Sequence, residues 1–482
     1  MNKETYLTEY PKHESMRENV KKDKNRLHFH MMPPTGWMND PNGLCEFQGV
    51  NHIYFQYTPF LAGWGTKLWG HYTTKDWIHY KEEEPFLYPD EEWDRDGVYS
   101  GSAYTCEDGI HYFYTGNVKL WDKDYDYIMN GREQNTIHVF SPDGKDIAYK
   151  KLVMTNDDYP VNMSKHVRDP KIYKKDGRYY MIQGGRDAES YGCALLFCSD
   201  DLEHWKWYDT VRTAKPFGYM WECPDLFRID GNRFLSISPQ GIAAEEYQYQ
   251  NVYQSGYYRI LGDLEDYTLS PFTEWDMGFD FYAPQSFIDE SGRRILIGWM
   301  GIGDIEYENP TVAEGWQHTL TVPRELTLDA SGDICQNPVK ELTALRKEEI
   351  IVPSDFFLTE GAFEMQADIT ENEDFSIIID KGMQILYDAG TSVLSLSFLP
   401  DRECNPEDAK GCGRCIRKAK IRENKVSSLQ ILVDHSTIEI FVNNGHYVFS
   451  SRYYKTGHAH TVEFSGDMNI TAYTLSGFDC RT

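Results

Sequence analysis

At 482 residues the chain is long for a single core, so two domains are expected. A formal net charge of −28 excludes nucleic-acid or anionic-membrane binding through bulk charge, but not a local basic pocket for one phosphate. Aromatic residues reach 15% of the chain, with 34 tyrosines and 12 tryptophans, which suits an aromatic-rich β protein or a carbohydrate binder.

Residues 1–25 form an N-terminal extension with no apolar h-region, so no secretory signal is expected. No run of about 18 apolar residues follows, so no membrane span is expected either. A cytoplasmic protein is the simplest reading, with its ten cysteines mostly thiols. Next comes Thr35-Gly-Trp-Met-Asn-Asp-Pro-Asn-Gly43. Asp40 is a carboxylate set between Asn39 and a proline, with the Trp37 ring nearby. Amides, a carboxylate and an apolar ring face suit a sugar, although Asn-Asp-Pro-Asn-Gly alone also makes a good turn.

From there a pattern repeats: a turn glycine, then an alternating aromatic or aliphatic strand. Its five copies have turn glycines at Gly49, Gly109, Gly177, Gly231 and Gly292, spaced 60, 68, 54 and 61 residues apart. Asp-Gly and its relatives supply the positive φ of tight hairpins. Repeats of this length, each a few strands, predict propeller blades: a five-bladed β-propeller over residues 26–343. Polar groups recur at matched offsets. Asp40 lies nine residues before its glycine, Asp169 eight and Glu222 nine; Gly101 of Ser100-Gly101 lies eight before and Gln285 seven before theirs. If the strand preceding each hairpin is innermost, these groups converge on the central axis. Thr74–Tyr80 and Ser199–Trp205 read as equivalent blade edges, with their tryptophans used for packing.

After Pro323-Arg-Glu-Leu326, Glu341–Glu348 reads as a short linking helix. Alternating strands from residue 350 to 482, including Asp434–Val442 and a turn at Asn443-Asn-Gly445, predict a C-terminal β-sandwich, making the chain all-β. Cys404, Cys412 and Cys415 cluster there, but no second close pair completes a four-ligand zinc site, so a loop with free thiols and no metal is expected.

Cleaving a glycosidic bond needs a proton for the leaving oxygen and a partner for the oxocarbenium-like centre, and two carboxyl groups supply both. The candidates are Asp40, Asp169 beside Arg168, and Glu222 between Trp221 and Cys223. A guanidinium near Asp169 would favour its ionised form, though adjacent strand residues point to opposite faces. Less polar neighbours around Glu222 would raise its pKa and suit a general acid.

Several ordered segments together resemble glycoside hydrolase family 32, the invertase and fructanase family. They are Trp37–Gly43, Tyr99–Ser102, Arg168-Asp-Pro170, Glu222-Cys-Pro-Asp225, Phe281–Phe287, Pro323–Leu326 and Asp434–Val442. The resemblance implies a five-bladed propeller followed by a sandwich. It implies Asp40 as nucleophile, forming a covalent fructosyl-enzyme, and Glu222 as acid/base. Asp169 would stabilise the transition state, with net retention and no metal or organic cofactor. It also implies Asn39, Gln56, Trp64, Tyr99, Ser100 and Arg168 as substrate contacts. Tyr99 replaces a usual phenylalanine and Thr58 a usual asparagine, which would alter the pocket rim.

The expected activity is release of fructose from sucrose or sucrose 6-phosphate. The rivals are exo-hydrolysis of short fructo-oligosaccharides or inulin, and fructosyl transfer. A non-catalytic fructan binder is disfavoured because all three carboxylates are present. The expected partner is a small-molecule sugar, with a homo-oligomer left open. A phosphate needs one or two Lys or Arg groups. Lys67, Arg95, Lys119 and Lys165 qualify by abundance alone, and each reads first as a solvated surface charge.

Overall fold

A computed structural model of the 482-residue chain describes all residues except 122–124, 264–265, 306–307, 354, 400–412, 456, 458 and 482. The described residues are almost entirely strands. Five antiparallel sheets follow one another along the first part of the chain. Their first strands are Gly36–Phe47, Val98–Cys106, Met163–Lys175, Met220–Ile229 and Tyr282–Ile288. Each turns back at one of the predicted glycines into its second strand. At Asp176-Gly177 and Asp230-Gly231 both residues have positive φ, 51° and 82°, then 47° and 79°. That geometry matches the twist of two-residue hairpins and explains why Asp-Gly recurs.

The first strands adjoin one another in cyclic order, the fifth returning to the first. Aromatic and aliphatic clusters fill the space between successive sheets. Tyr54, Trp69, Tyr112 and Ile137 join the first to the second, and Phe113, Met181 and Phe197 join the second to the third. A short strand, Trp316–Gln317, leaves the fifth sheet region and pairs in parallel with Gly36–Trp37, tying the last repeat to the first. The predicted edges Thr74–Tyr80 and Ser199–Trp205 are the turns between third and fourth strands. Asp76 and Asp201 each accept two backbone N–H groups and hold a histidine, His79 or His204, at 2.7 Å.

All but one of the remaining strands form two six-stranded sheets sharing one apolar core, while Asp479–Arg481 pairs in parallel with His79–Lys81 of the first sheet. Ile431 and Ile440 come from one sheet, and Ile377, Ile385 and Leu396 from the other. Each such buried side chain contributes about 1.5–3 kcal/mol. Asn443, Asn444 and Gly445 all have positive φ, making the predicted turn between Thr437–Val442 and Tyr447–Arg452. The expected linking helix is a 3₁₀ segment, Lys340–Leu345, and the chain is already extended at Arg346–Ile350. The N-terminal extension carries two helices that the sequence reading did not assign, Lys3–Glu9 and Glu14–Lys22, anchored by buried Tyr6 and Val20.

A buried ionic network joins the two parts. Arg324 is fully buried and donates to Asp276 and, at 2.5 Å, to Glu439. His30 lies between Asp434 (3.0 Å) and Glu439 (2.9 Å). Pro323-Arg-Glu-Leu326 is thus a joint between sheets. Cys404 and Cys412 fall outside the described residues, and Cys415 is disulfide-bonded, so the expectation of a free thiol fails there. Seven other cysteines are free. No described helix is long and apolar enough to cross a membrane.

Candidate active site

Every first strand carries an irregularity at the same level. Two residues oppose one on the partner strand at Asn39-Asp40, Tyr99-Ser100, Asp169-Pro170, Cys223-Pro224 and Ala283-Pro284. Such a bulge interrupts the ladder and re-aims side chains that would otherwise alternate across the sheet. Proline suits these places because it has no N–H to give the ladder. Asp169, Cys223 and Ala283 have positive φ there, 64°, 46° and 48°, a conformation costly for residues with a side chain.

The bulges open onto a cavity of about 780 Å³ lined by Asn39, Asp40, Gln56, Ser100, Asp169 and Glu222, among others. Asp40 is held on both oxygens. Ser100 Oγ donates to Oδ2 at 2.5 Å, and Asn39 Nδ2 donates to Oδ1 at 3.1 Å. Gln56 Nε2 donates to Ser100 Oγ at 2.7 Å, and Trp37 Nε1 donates to Asn39 Oδ1 at 2.9 Å, fixing those two in turn. Burial raises the Asp40 pKa; Ser100 and Asn39 pull it down, and the nearby Glu222 pushes it up. Asp169 accepts the Cys223 backbone N–H at 2.9 Å. Burial raises its pKa, Arg168 opposes the rise, and Glu222 and Asp40 add to it. The Cys223 thiol lies 3.8 Å from Asp40 Oδ2 and 3.7 Å from Asp169 Oδ2, so both carboxylates flank one sulfur.

The Arg168 guanidinium does favour the charged Asp169, its Nε lying 4.0 Å from Oδ2, although its hydrogen bonds go to Glu222 Oε1, from Nε at 3.0 Å and Nη2 at 2.5 Å. One expectation about the carboxylates needs correction: Glu222 is not set among apolar groups. Gln240 Nε2 (2.7 Å) and Tyr282 Oη (2.6 Å) both donate to Oε2. The Trp221 ring instead packs into the core between sheets, and the bulge takes the Cys223 side chain toward the other two acids. Periodicity along the strand could not supply these partners, because they come from other strands.

Trp64 stands at the mouth, 61% exposed, with its ring 5.1 Å from that of Trp37. Tyr99 also lines the cavity. Gln285, placed at this level by its offset, instead donates to the Gly101 carbonyl at 2.9 Å and does not line the cavity. The fifth repeat contributes Tyr282. A signal was available: Asn39, Arg168, Glu222 and Tyr282 each stand two residues before a proline, and all four line the cavity. Aligning on these prolines instead of the turn glycines would have found Tyr282.

Of the four phosphate candidates, Arg95 and Lys165 do not line the cavity, whereas Lys119 and Lys67 do. Lys67 is buried, not a solvated charge. Among the described residues its Nζ has no hydrogen-bond partner, and it lies 4.9 Å and 5.0 Å from the Trp37 and Trp64 ring centroids. Burial lowers its pKa to about 7, against the pull of Asp40. Arg132, His166, Arg186, Tyr219 and Tyr253 complete much of the lining and were missed, since none belongs to a motif.

Comparison with known proteins agrees with this arrangement. The sequence model for the glycosyl hydrolases family 32 N-terminal domain matches residues 30–338, and that for the family's C-terminal domain matches residues 333–476. A sucrose-6-phosphate hydrolase of Bacillus subtilis (strain 168) is 37% identical over 475 residues, covering 94% of this chain and 95% of its own. A Bombyx mori GH32 beta-fructofuranosidase superposes with a TM-score of 0.85 at 27% identity, over 100% of both chains. Sucrose-6-phosphate hydrolase from Lactobacillus gasseri gives 0.84 at 26% identity, over 99% of this chain and 97% of that one. Two domain models in tandem, one relative alike over nearly its whole length, and all-β structures of the same extent lead to one conclusion: this chain belongs to glycoside hydrolase family 32.

Proposed function

We propose that the protein is a retaining β-fructofuranosidase that hydrolyses sucrose and sucrose 6-phosphate. The observation that carries this reading is the convergence of Asp40, Asp169 and Glu222, from three different first strands, on one cavity. We read the five sheets as five propeller blades and the two six-stranded sheets as the sandwich. On that reading residues 1–25 are an extension, 26–343 the catalytic unit and 350–482 the sandwich.

The chemistry follows from the partners of each acid. Asp40 is clamped by Ser100 and Asn39, so it presents a fixed oxygen to the anomeric carbon of a bound fructosyl ring. A Glu222 proton passes to the bridging oxygen as the C–O bond breaks and the Asp40–carbon bond forms. Glu222, now a carboxylate, takes a proton from water. The water oxygen attacks the same carbon, and Asp40 leaves. Arg168, Gln240 and Tyr282 orient Glu222 through both steps. Asp169 is held by the Cys223 N–H and faces the ring hydroxyls, where its charge supports the oxocarbenium-like state. A cytoplasmic setting fits the phosphorylated substrate, because a sugar phosphate dianion does not cross a bilayer unaided.

Initial rates on sucrose, sucrose 6-phosphate, kestose and inulin test the substrate range. Asp40→Ala and Glu222→Ala should each lower turnover by several orders of magnitude, with azide restoring part of the Glu222→Ala rate. Near-normal activity in either variant would overturn the assignment.

A further inference from the structure

One wall of the cavity carries more positive charge than its carboxylates balance. Arg132, Arg168 and Arg186 line it, with Lys119 beside them. Arg168 is engaged by Glu222. The other two guanidiniums form no ion pair among the described residues. Arg132 is only 7% exposed, its Nε has no hydrogen-bond partner, and its guanidinium lies 4.3 Å from the Tyr127 ring centroid. Among the described residues the Arg186 side chain donates only to the Ser190 hydroxyl, from Nε at 3.3 Å and Nη2 at 2.9 Å, and lies 4.7 Å from the Tyr219 ring centroid.

His166 shows how close the three arginines are. Its Nδ1 is 2.9 Å from Arg168 Nη1, and its Nε2 faces the Tyr127 carbonyl at 2.9 Å. Burial, then the charges of Arg168 and Arg132 and more weakly Arg186, keep it neutral, so it adds no further charge. In a chain of net charge −28, a buried arginine without a carboxylate is conspicuous, since an unpaired buried charge is costly. An anion in the cavity would balance it.

The position of the wall says which part of a substrate would carry that anion. Arg168 bridges the wall to Glu222, the group that protonates the departing oxygen, so the leaving sugar lies on this side. The other buried cation, Lys67, sits on the Asp40 side between two tryptophan rings, where the fructosyl ring belongs. We propose that Arg132 and Arg186 form the seat for a phosphate monoester on the leaving hexose, with Lys119 guarding its rim. Lys119 is the backbone partner of Arg132 across adjacent strands, which brings its side chain to the same end of the sheet. Guanidinium forks match phosphate oxygens better than an ammonium does, so arginine is the expected residue here. This inference rests on the β-fructofuranosidase reading above.

The test compares kcat/KM for sucrose 6-phosphate and sucrose in the full-length enzyme and in Arg132→Gln, Arg132→Lys and Arg186→Gln. It also measures inhibition by glucose 6-phosphate, glucose and inorganic phosphate. The wild type should prefer the phosphorylated substrate, and each glutamine variant should lower that preference by about 10- to 100-fold, the worth of one charge-assisted contact. Arg132→Lys should keep part of it. Glucose 6-phosphate should compete far better than glucose or inorganic phosphate, and Arg132→Gln should erase that advantage. Equal losses on both substrates would mark the arginines as structural and overturn the seat. Inhibition by inorganic phosphate as strong as by the hexose phosphate would overturn its assignment to the leaving sugar. Hydrolysis of sucrose without preference would remove the seat and leave the β-fructofuranosidase reading intact, whereas hydrolysis of neither substrate would remove both. Should a variant fail to fold, the wild-type competition series decides by itself.

Discussion

Ser100→Ala tests the support of the proposed nucleophile, Asp40, directly. Ser100 Oγ gives Asp40 Oδ2 its shortest hydrogen bond, 2.5 Å, and takes one from Gln56 at 2.7 Å. A hydrogen bond to a charged group contributes about 1.5–3 kcal/mol. At about 1.4 kcal/mol per tenfold, its loss should lower kcat/KM for sucrose by about 10- to 150-fold. The same change has a signature in pH. Burial raises the Asp40 pKa, and Ser100 opposes that rise by favouring the carboxylate. Removing the hydroxyl therefore raises the pKa further. A nucleophilic Asp40, as proposed, attacks only as the carboxylate, so the acidic limb of the kcat/KM profile should move to higher pH. Initial rates from pH 4 to 8, with circular dichroism to establish that the variant is folded, measure both effects. A fall below threefold, or an acidic limb that stays in place or moves to lower pH, would refute the reasoning.

His30→Gln should destabilise the protein in a pH-dependent way. Burial opposes protonation of His30, but Asp434 and Glu439 outweigh it and raise its pKa from 6.5 to about 9. The resulting stabilisation, about 3 kcal/mol, is fully present below about pH 6.5 and is lost as pH rises through about 9, so urea midpoints of variant and wild type should differ most at pH 6 and converge by pH 10. Arg324→Met leaves Asp276 buried without its cation and Glu439 with His30 alone, and should cost about 3–5 kcal/mol in urea unfolding; a loss below about 1 kcal/mol would mean the network relaxes around the change. Dialysis against EDTA should leave sucrose hydrolysis within about twofold. The described residues hold one grouping suited to a metal ion, Cys106, Asp108 and His111, at a hairpin turn and not in the cavity lining, and a large loss of activity would contradict that placement.

Much of the site was legible in the sequence because it is built by repetition. A hairpin that recurs with its acid at a near-constant distance from its glycine reveals both the sheets and the level at which side chains meet. What stayed hidden depends on departures from regular pairing or on contacts between strands. The fifth hairpin turns through residues 289–293 where the third and fourth turn through two, which displaces its glycine and put Gln285, three residues along, where Tyr282 belongs. The partners of Glu222 come from the third, fourth and fifth sheets, beyond the reach of any local pattern. Lys67 looked like a surface charge because no spacing along one strand reveals that two tryptophans enclose it. The N-terminal helices were missed since each buries a single side chain, too little to show a periodic face.

The pairing of Trp316–Gln317 with Gly36–Trp37 has a further consequence. The residues that fasten the fifth repeat to the first are within four positions of Asp40, and His318 packs edge-on against Trp37 at 4.3 Å. During synthesis Gly36 and Trp37 leave the ribosome some 280 residues before Trp316–Gln317, the strand that pairs with them. The segment that leads into Asp40 must therefore wait, half-paired, until almost the whole first unit has been made. Catalytic competence becomes a late event in folding, and the appearance of activity reports that the ring has closed.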